Sequence, residues 1–195
     1  MSGLIPDPGR SQGFTLLELM TTITIVAVLL AIGVPSLRGM IQRNRVSSAS
    51  NDLAASIAYA RTTAINRGQL VSMCPSADGT SCTSAGQNFE PGWIVYSYPA
   101  GAASANKAYD STATLLRAVD RRAGVSIYGL QSQVITFGLQ GQLRPGTALA
   151  FLTCARSGDT GIGHSTATVH GVRMDVNGSG STSTLNLAAG ASCNS

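Results

Sequence analysis

Charged residues are scarce in this chain. Of its 195 residues, 11% are Asp, Glu, Lys or Arg, and the formal net charge of +4 rests on arginine because Lys107 is the only lysine. A protein that binds a nucleic acid backbone needs several cations on one face, and the sequence has no dense basic run. With 22 glycines and abundant Ser, Thr and Ala, the composition is typical of a loop-rich exported domain with β-structure, and less so of a cytosolic enzyme.

Complete catalytic motifs are also missing. Asp159-Thr160-Gly161 matches the tripeptide of aspartic proteases, but that chemistry needs two such carboxylates and the tripeptide occurs once. Residues 104–107 fit an S-x-x-K pattern without the motifs that accompany it in enzymes. We therefore predict a protein that is not an enzyme and that needs no cofactor.

Four cysteines allow three disulfide pairings, and the sequence alone does not choose among them. The short spacing of Cys74 and Cys82, around a turn-like segment, favours a local bridge and leaves Cys154 to join Cys193. Zinc is the alternative, with His164 or His170 as further ligands. No cysteine pair has the two-to-four-residue gap of common zinc knuckles, so we expect no metal site.

The most informative stretch runs from Phe14 to Val34. It is apolar, and at about 1.5 Å rise per residue it is long enough to cross a ~30 Å hydrocarbon layer as one helix. Glu18 is its only charge, and a carboxylate at the centre of such a span costs roughly 2.5–3.5 kcal/mol on insertion scales. If the chain is cut between Gly13 and Phe14, Glu18 lies one helical turn from the new α-amine. There it can pair with the amine of a neighbouring copy in a bundle of helices, so we interpret it as an assembly device.

Two simpler interpretations of this stretch stay open. A secretory signal would have a basic n-region, a shorter apolar core and a small-x-small cleavage site, for which Ala31-Ile32-Gly33 qualifies. A plain membrane anchor explains neither the Gly-Phe pair nor the glutamate. Arg38, Arg43 and Arg45 would hold the C-terminal side in the cytoplasm by the positive-inside rule. The cysteines favour an oxidising compartment, and we therefore predict that the C-terminal side lies outside the cytoplasm.

Residues 35–68 continue the helix with an amphipathic pattern, in which apolar residues recur at three- and four-residue steps and Gly68 is suited to the C-terminal cap.

Residues 69–195 change to an extended pattern. We predict an α+β head in which an antiparallel sheet packs on the helix, with residues 98–114 as a surface loop. The predicted strands are Leu70 to Cys74, Trp93 to Tyr98, Leu115 to Val119, Val125 to Tyr128, Val134 to Phe137, Ala148 to Cys154, Val169 to Val176 and Thr182 to Leu187.

The residues G-F-T-L-L-E, behind a short polar leader and ahead of the apolar run, resemble the class III signal of type IV prepilins and type II secretion pseudopilins. The resemblance implies that a prepilin peptidase removes Met1 to Gly13 as a leader and N-methylates Phe14. It also implies the pilin lollipop, in which residues 14–34 cross the bacterial inner membrane once and carry the head in the periplasm.

Short motifs in the head make the resemblance more specific. The helix end A-R-T-T-A-I-N-R-G, then V-S-M-C-P, G-W-I-V-Y, I-T-F-G-L-Q-G and F-L-T-C are together similar to the GspH/FimT family, which includes the FimU-type proteins. The resemblance implies a sandwich-like head and a minor subunit that helps to start or cap a pilus or pseudopilus. Its implied partners are other minor pilins or pseudopilins and the major pilin, and the residues do not separate a pilus from a secretion pseudopilus.

DNA binding is the alternative function, because some FimT-like proteins bind DNA through arginines near the C-terminus. This sequence departs from that pattern, since no Arg or Lys follows Arg173. The candidates that remain are scattered, and we expect most of them to be solubilising charges. Arg117, Arg121 and Arg122 are the main candidates, followed by Arg144, Arg156 and Arg173.

Overall fold

The computed structural model describes residues 13–83, 86–99, 101, 104–131, 134–158 and 160–194. The predicted leader therefore lies outside the described residues, apart from Gly13. The chain divides into two compact units, residues 1–38 and residues 39–195. Within these ranges one helix, α1 (Leu16–Arg67), is followed by nine strands. The strands are β1 (Val71–Pro75), β2 (Gly92–Ser97), β3 (Thr114–Asp120), β4 (Val125–Gly129), β5 (Ile135–Phe137), β6 (Leu143–Arg144), β7 (Leu149–Ala155), β8 (Val172–Val176) and β9 (Thr182–Asn186).

In the first unit, α1 begins at a threonine cap. The Glu18 amide donates to Thr15 Oγ1 at 3.2 Å and the Leu19 amide to the Thr15 carbonyl at 3.1 Å. These bonds satisfy donors that the first helical turn leaves without an intrahelical partner. The glutamate side chain also suits the positive end of the helix dipole.

The N-terminal part of α1 is suited to a lipid environment. Its most apolar 18-residue window has a mean hydropathy of 2.3, and none of that window is buried within the chain. Thr22 and Thr24 donate their hydroxyl hydrogens to helix carbonyls at 2.9 and 2.7 Å, so these polar groups need no solvent partner. By length and composition, this is a candidate membrane span.

In the second unit, the remainder of α1 buries one face against the sheets. Its buried side chains recur at three- to four-residue steps, which places them along one stripe of the helix. They are Val46, Ala49, Leu53, Ile57, Ala60 and Ala64. The helix ends at Arg67 because Gly68 adopts a φ of 59°, which a residue without a Cβ tolerates. The Gln69 amide then bonds the Ala64 carbonyl at 3.3 Å, which completes the predicted glycine cap.

Two antiparallel sheets complete the head. The five-stranded sheet has the order β3-β2-β1-β5-β6 and the four-stranded sheet the order β4-β7-β8-β9. All eight predicted strands are present, which confirms the α+β fold class, and β6 is an addition. The predicted strand from Val169 begins later, at Val172, because Thr166 and Val169 form a turn in which the Thr166 amide donates to the Val169 carbonyl at 2.9 Å.

One hydrophobic core joins the helix to the inner faces of both sheets. The helix contributes alanine, leucine and isoleucine side chains, and the sheets contribute the large aromatic side chains. Trp93, 1% exposed, comes from the five-stranded sheet. Phe151, from the four-stranded sheet, meets Phe89 edge to face with ring centroids 5.3 Å apart. The core therefore depends on all three layers at once.

The outer face of the five-stranded sheet is also covered. Residues 104–113, which were predicted to belong to a surface loop, lie across this face. The Tyr96 hydroxyl donates to the Lys107 carbonyl at 2.7 Å, and the Tyr98 hydroxyl to the Ala108 carbonyl. Tyr109 packs on Tyr96 with centroids 5.2 Å apart. This segment is thus part of the packed head, because two strand tyrosines need hydrogen-bond acceptors when they are buried.

The C-terminal segment covers the outer face of the four-stranded sheet. The Cys193 amide donates to the Gly163 carbonyl at 2.9 Å, and the Ser165 amide to the Ala191 carbonyl at 2.8 Å. Gly171 lies so close to this layer that a Cβ there would meet Cys154 Sγ at 2.6 Å. The segment up to Cys193 is therefore integral to the head.

Candidate assembly and binding sites

The candidate assembly site is the start of α1. Phe14 is 83% exposed in the single chain, and Glu18 is exposed on the first helical turn. Gly13 lies in open space, with nothing within 4 Å of a Cβ built there. A requirement for glycine at this position would therefore come from a processing enzyme and not from the fold of this chain.

A second role for Glu18 was missed in the sequence. Thr15-Leu16-Leu17-Glu18 has the T-x-x-E pattern of a capping box, and the structure shows the Thr15 half of that box. The pattern was readable from the residues alone. The observed bond uses the Glu18 amide, so its carboxylate contributes to the helix start only as a first-turn acid, and an experiment must separate this effect from its predicted role in assembly.

Both disulfides join the cysteines that the sequence analysis favours. Cys74 and Cys82 are bonded across a separation of 8 residues, and Cys154 and Cys193 across 39. No cysteine is free, so none of the four offers a thiolate to a metal. In the described part of the chain no group of three His, Cys, Asp or Glu side chains is placed to hold a metal ion.

The turn inside the first disulfide loop is organised by Asp78. One carboxylate oxygen accepts the amides of Thr80 and Ser81, both at 2.8 Å, and the other accepts the Ser81 hydroxyl at 2.7 Å. The hydroxyl of Ser81, with the two amides, holds the pKa of this carboxyl well below its usual range. The aspartate therefore stays ionised and orders the turn between the two cysteines.

The weak catalytic motif at residues 104–107 does not form a site. Lys107 Nζ pairs with Asp110 at 2.8 Å and lies 4.3 Å from the centre of the Tyr98 ring. The hydrogen bond with Asp110 raises the pKa of Lys107, which keeps the amine protonated. A protonated lysine is the opposite of the general base that acyl-transfer chemistry requires. Asp159 of the protease-like tripeptide lies outside the described residues.

The candidate arginines separate into different environments. Arg117 and Arg122 lie along one flank of α1. The Arg122 guanidinium pairs with Asp52 at 2.6 Å, and that of Arg117 lies 6.0 Å from the centre of the Tyr59 ring. Arg121 is adjacent in the sequence, after the end of β3. The structure thus brings two of the three main candidates to one surface, where an aspartate offsets part of their charge.

Two of the secondary candidates, Arg156 and Arg173, are held in ion pairs of their own. Arg156 was expected among the candidate DNA-binding arginines, and the structure corrects this. Its side chain is only 3% exposed and pairs with Glu90 at 2.6 Å. Arg173 pairs with Asp175 at 2.9 Å on the four-stranded sheet. A buried, paired arginine contributes little to binding a polyanion, so the number of arginines overstates the basic surface.

Comparisons with known proteins bear on both parts of the chain. Residues 49–180 match the family model of the type II transport protein GspH, and residues 9–34 match the prokaryotic N-terminal methylation motif. A crystal structure of the type IV minor pilin FimU from Pseudomonas aeruginosa PAO1 has a similar fold. The two share 20% identity with a TM-score of 0.52, over 74% of this chain and 90% of that one. A second crystal form of FimU gives 19% identity and a TM-score of 0.48, over 71% and 91% of the two chains.

Proposed function

The chain belongs to the GspH family of minor pilins and pseudopilins and carries the prepilin N-terminal methylation motif, and on this basis we propose that it helps to start or cap a filament. The filament is a type IV pilus or a type II secretion pseudopilus. The family consists of structural subunits and not of enzymes. The observation that carries the proposal is a methylation motif at residues 9–34 that extends into the apolar start of α1.

Processing is the first step of the proposed pathway. A prepilin peptidase cuts between Gly13 and Phe14 on the cytoplasmic side of the inner membrane and methylates the new Phe14 amine. Residues 14–34 hold the protein in that membrane as a single span, with the head in the periplasm. The two disulfides support this orientation, because such bonds persist in an oxidising compartment.

Assembly is the second step, and it depends on Glu18. In a helical bundle its carboxylate pairs with the Phe14 amine of a neighbouring subunit. At 4 Å and an effective dielectric constant of 20, such a pair gains about 4 kcal/mol before desolvation costs. The pair also fixes the axial register of adjacent helices, because a shift by one helical turn would leave both charges unpaired in an apolar layer.

The test compares Glu18→Ala with Thr15→Ala in a strain that lacks the native gene. We expect Glu18→Ala to be cleaved normally but to fall at least tenfold in the sheared filament fraction. Thr15→Ala removes the helix cap, at a cost of about 1 kcal/mol, and keeps the carboxylate, so it should assemble nearly as well as wild type.

Two outcomes and one control separate the explanations. Normal assembly of Glu18→Ala would refute the pairing role. An equal loss in both variants would assign Glu18 to helix capping instead. Gly13→Ala provides the processing control, since the fold has room for the added methyl group and any loss of cleavage then reflects the peptidase.

DNA binding is the second candidate function, and the position of Arg117 and Arg122 on one flank of the head favours it. Arg121, next to this flank in sequence, completes the set. We expect any duplex binding to weaken steeply with salt and to be lost in a variant with Arg121→Ala and Arg122→Ala. No binding at low salt by the folded protein would rule this function out. The filament proposal would not be affected.

A further inference from the structure

Strand β9 forms an edge of the four-stranded sheet and has none of the usual protection. All five residues of Thr182–Asn186 are exposed, and they pair with β8 in regular register. Among the described residues no strand lies beyond β9 in this sheet. The chain after Asp175 contains no charged residue and no proline. A regular, uncharged edge is a template for pairing with another extended chain.

The ladder shows which backbone groups are available. The Asn177 amide donates to the Ser181 carbonyl at 3.0 Å, and the Leu187 amide to the Gly171 carbonyl at 2.8 Å. Odd-numbered residues of this segment therefore point their N–H and C=O groups toward β8, because these directions alternate along a strand. The even-numbered residues point theirs away from the sheet, over a length of about 16 Å. They are Thr182, Thr184 and Asn186.

The other three edges of the two sheets are each blocked. The edge of β4 is covered, since the Phe89 amide donates to the Ile127 carbonyl at 3.0 Å and the Gly129 amide to the Gln87 carbonyl at 2.8 Å. Strand β6 has two residues and is followed by Pro145. Strand β3 carries Arg117 and Asp120 and pairs with an irregular register. Such features prevent edge-to-edge pairing, and β9 alone among these edges lacks them.

A groove runs along the inner side of this edge. It has a volume of about 620 Å³ and lies between the head part of α1 and the inner face of β9. Its lining mixes polar and apolar surface, and the polar side chains include Arg43, Ser47, Asn51 and His170, with Thr184 and Asn186 of the strand. No Asp or Glu is among the described residues that line it, and Arg43 is its only permanent charge.

We infer that β9 is a docking edge for an extended segment of a different filament subunit, which adds a fifth strand to this sheet and directs a carboxylate side chain toward Arg43. Backbone pairing gives such an interaction its affinity, and alternate side chains entering the groove give it specificity. The inference rests on the proposed function, because it names the contact by which this subunit joins its neighbour.

A second copy of this chain fits the edge less well. Its own β9 would bring only Thr and Asn side chains to the groove and no acid to Arg43. Pairing of two identical edges would also close as a two-fold dimer, which does not continue along a filament. A different subunit can supply a carboxylate to Arg43, and its contact with β9 need not close as a two-fold dimer.

The test uses the full-length chain in a strain that lacks the native gene, with a photo-crosslinking amino acid at Leu185. Ile162 is the matched control site, since the two side chains are 51% and 49% exposed. We expect a covalent adduct with another subunit from Leu185 and none from Ile162. Thr184→Pro removes one outward N–H and leaves the bonds to β8, so it should lower the adduct at least fivefold. Thr184→Val keeps that N–H and should retain the adduct.

A charge series tests the groove side. Arg43→Gln should lower the adduct from Leu185, and Arg43→Lys should restore much of it. If Thr184→Pro fails to accumulate with its Cys154–Cys193 disulfide formed, Thr184→Lys replaces it, because a lysine on the edge also blocks pairing.

The outcomes distinguish this inference from the proposed function. Wild-type protein that is present in sheared filaments but gives no adduct from Leu185 refutes the inference alone. An adduct with a second copy of this chain, or equal adducts from both sites, also refutes it. Wild-type protein that is absent from filaments refutes the proposed function and this inference together.

Discussion

The two disulfides should stabilise the head unequally, and the loop that each one closes sets the difference. In the chain-entropy relation, the 39-residue separation of Cys154 and Cys193 corresponds to about 4 kcal/mol. The 8-residue separation of Cys74 and Cys82 corresponds to about 2.5 kcal/mol. Replacing the distant pair by alanine should therefore cost about 1.5 kcal/mol more than replacing the local pair. A loss of about 4 kcal/mol is a large share of the 5–15 kcal/mol typical of a domain.

The assay is urea unfolding of residues 39–195, followed by the fluorescence of Trp93. This is the only tryptophan, and it is buried in the shared core, so its emission reports the state of the whole head. The distant-pair variant should also show a steeper dependence on urea, because its unfolded chain expands when the cross-link is removed. Wild-type protein unfolded with a reductant present gives the reference for losing both bonds.

Equal losses for the two pairs, or a larger loss for the local pair, would refute the loop-entropy reasoning. Packing around the local pair would then be the stronger influence, since Cys74 lies in an apolar cluster with Ile94 and Tyr96. An unchanged urea dependence together with the expected loss would place the effect in the folded state and not in the unfolded one.

Two further predictions concern turns. Gly68→Ala should cost about 1 kcal/mol in urea unfolding, because its φ of 59° is left-handed although the space around it is open, and Gly68→Asn should cost less. An equal cost for Ala and Asn would exclude backbone strain as the cause. The lowered pKa of Asp78 means that its stabilising contribution is present above about pH 4 and is lost as the pH falls through the folded pKa. Asp78→Asn should therefore be less stable at pH 7 and respond less to acid below pH 4, as measured by thermal unfolding across that range, and an unchanged acid response would contradict this role.

The strands were predictable from the sequence where they are long enough to show a pattern. Strand β7 (Leu149–Ala155) has seven residues and a continuous apolar run, and it was predicted to within one residue at each end. Strand β6 has two residues, and no periodicity can be read from so short a segment. It exists because β5 offers an open edge, which is a property of the assembled sheet and not of Leu143 or Arg144.

The candidate sites also differ in how far they could be predicted, because some join residues close in the sequence and others join distant residues. Thr15 and Glu18 are three residues apart, so their relation as a helix cap was available in the sequence. Arg156 was placed among surface arginines because its partner, Glu90, is 66 residues away and no local pattern connects the two. The groove beside β9 is equally non-local, since Arg43 on the helix and Thr184 on the last strand meet only in the folded head.

The order of strands has a consequence for how the head forms. The chain passes between the two sheets three times, after β3, after β4 and after β6, so neither sheet is made from one continuous segment. Two of the seven strand pairings in the described part of the chain, β1 with β5 and β4 with β7, therefore join strands that are not consecutive in the sequence, and such non-local contacts slow folding. The four-stranded sheet has only β4 until residues 149–186 are available. A chain that emerges from its N-terminus therefore exposes the part of the apolar face of α1 that this sheet covers until almost all of its length has appeared, and this interval is the one in which a chaperone would be needed most.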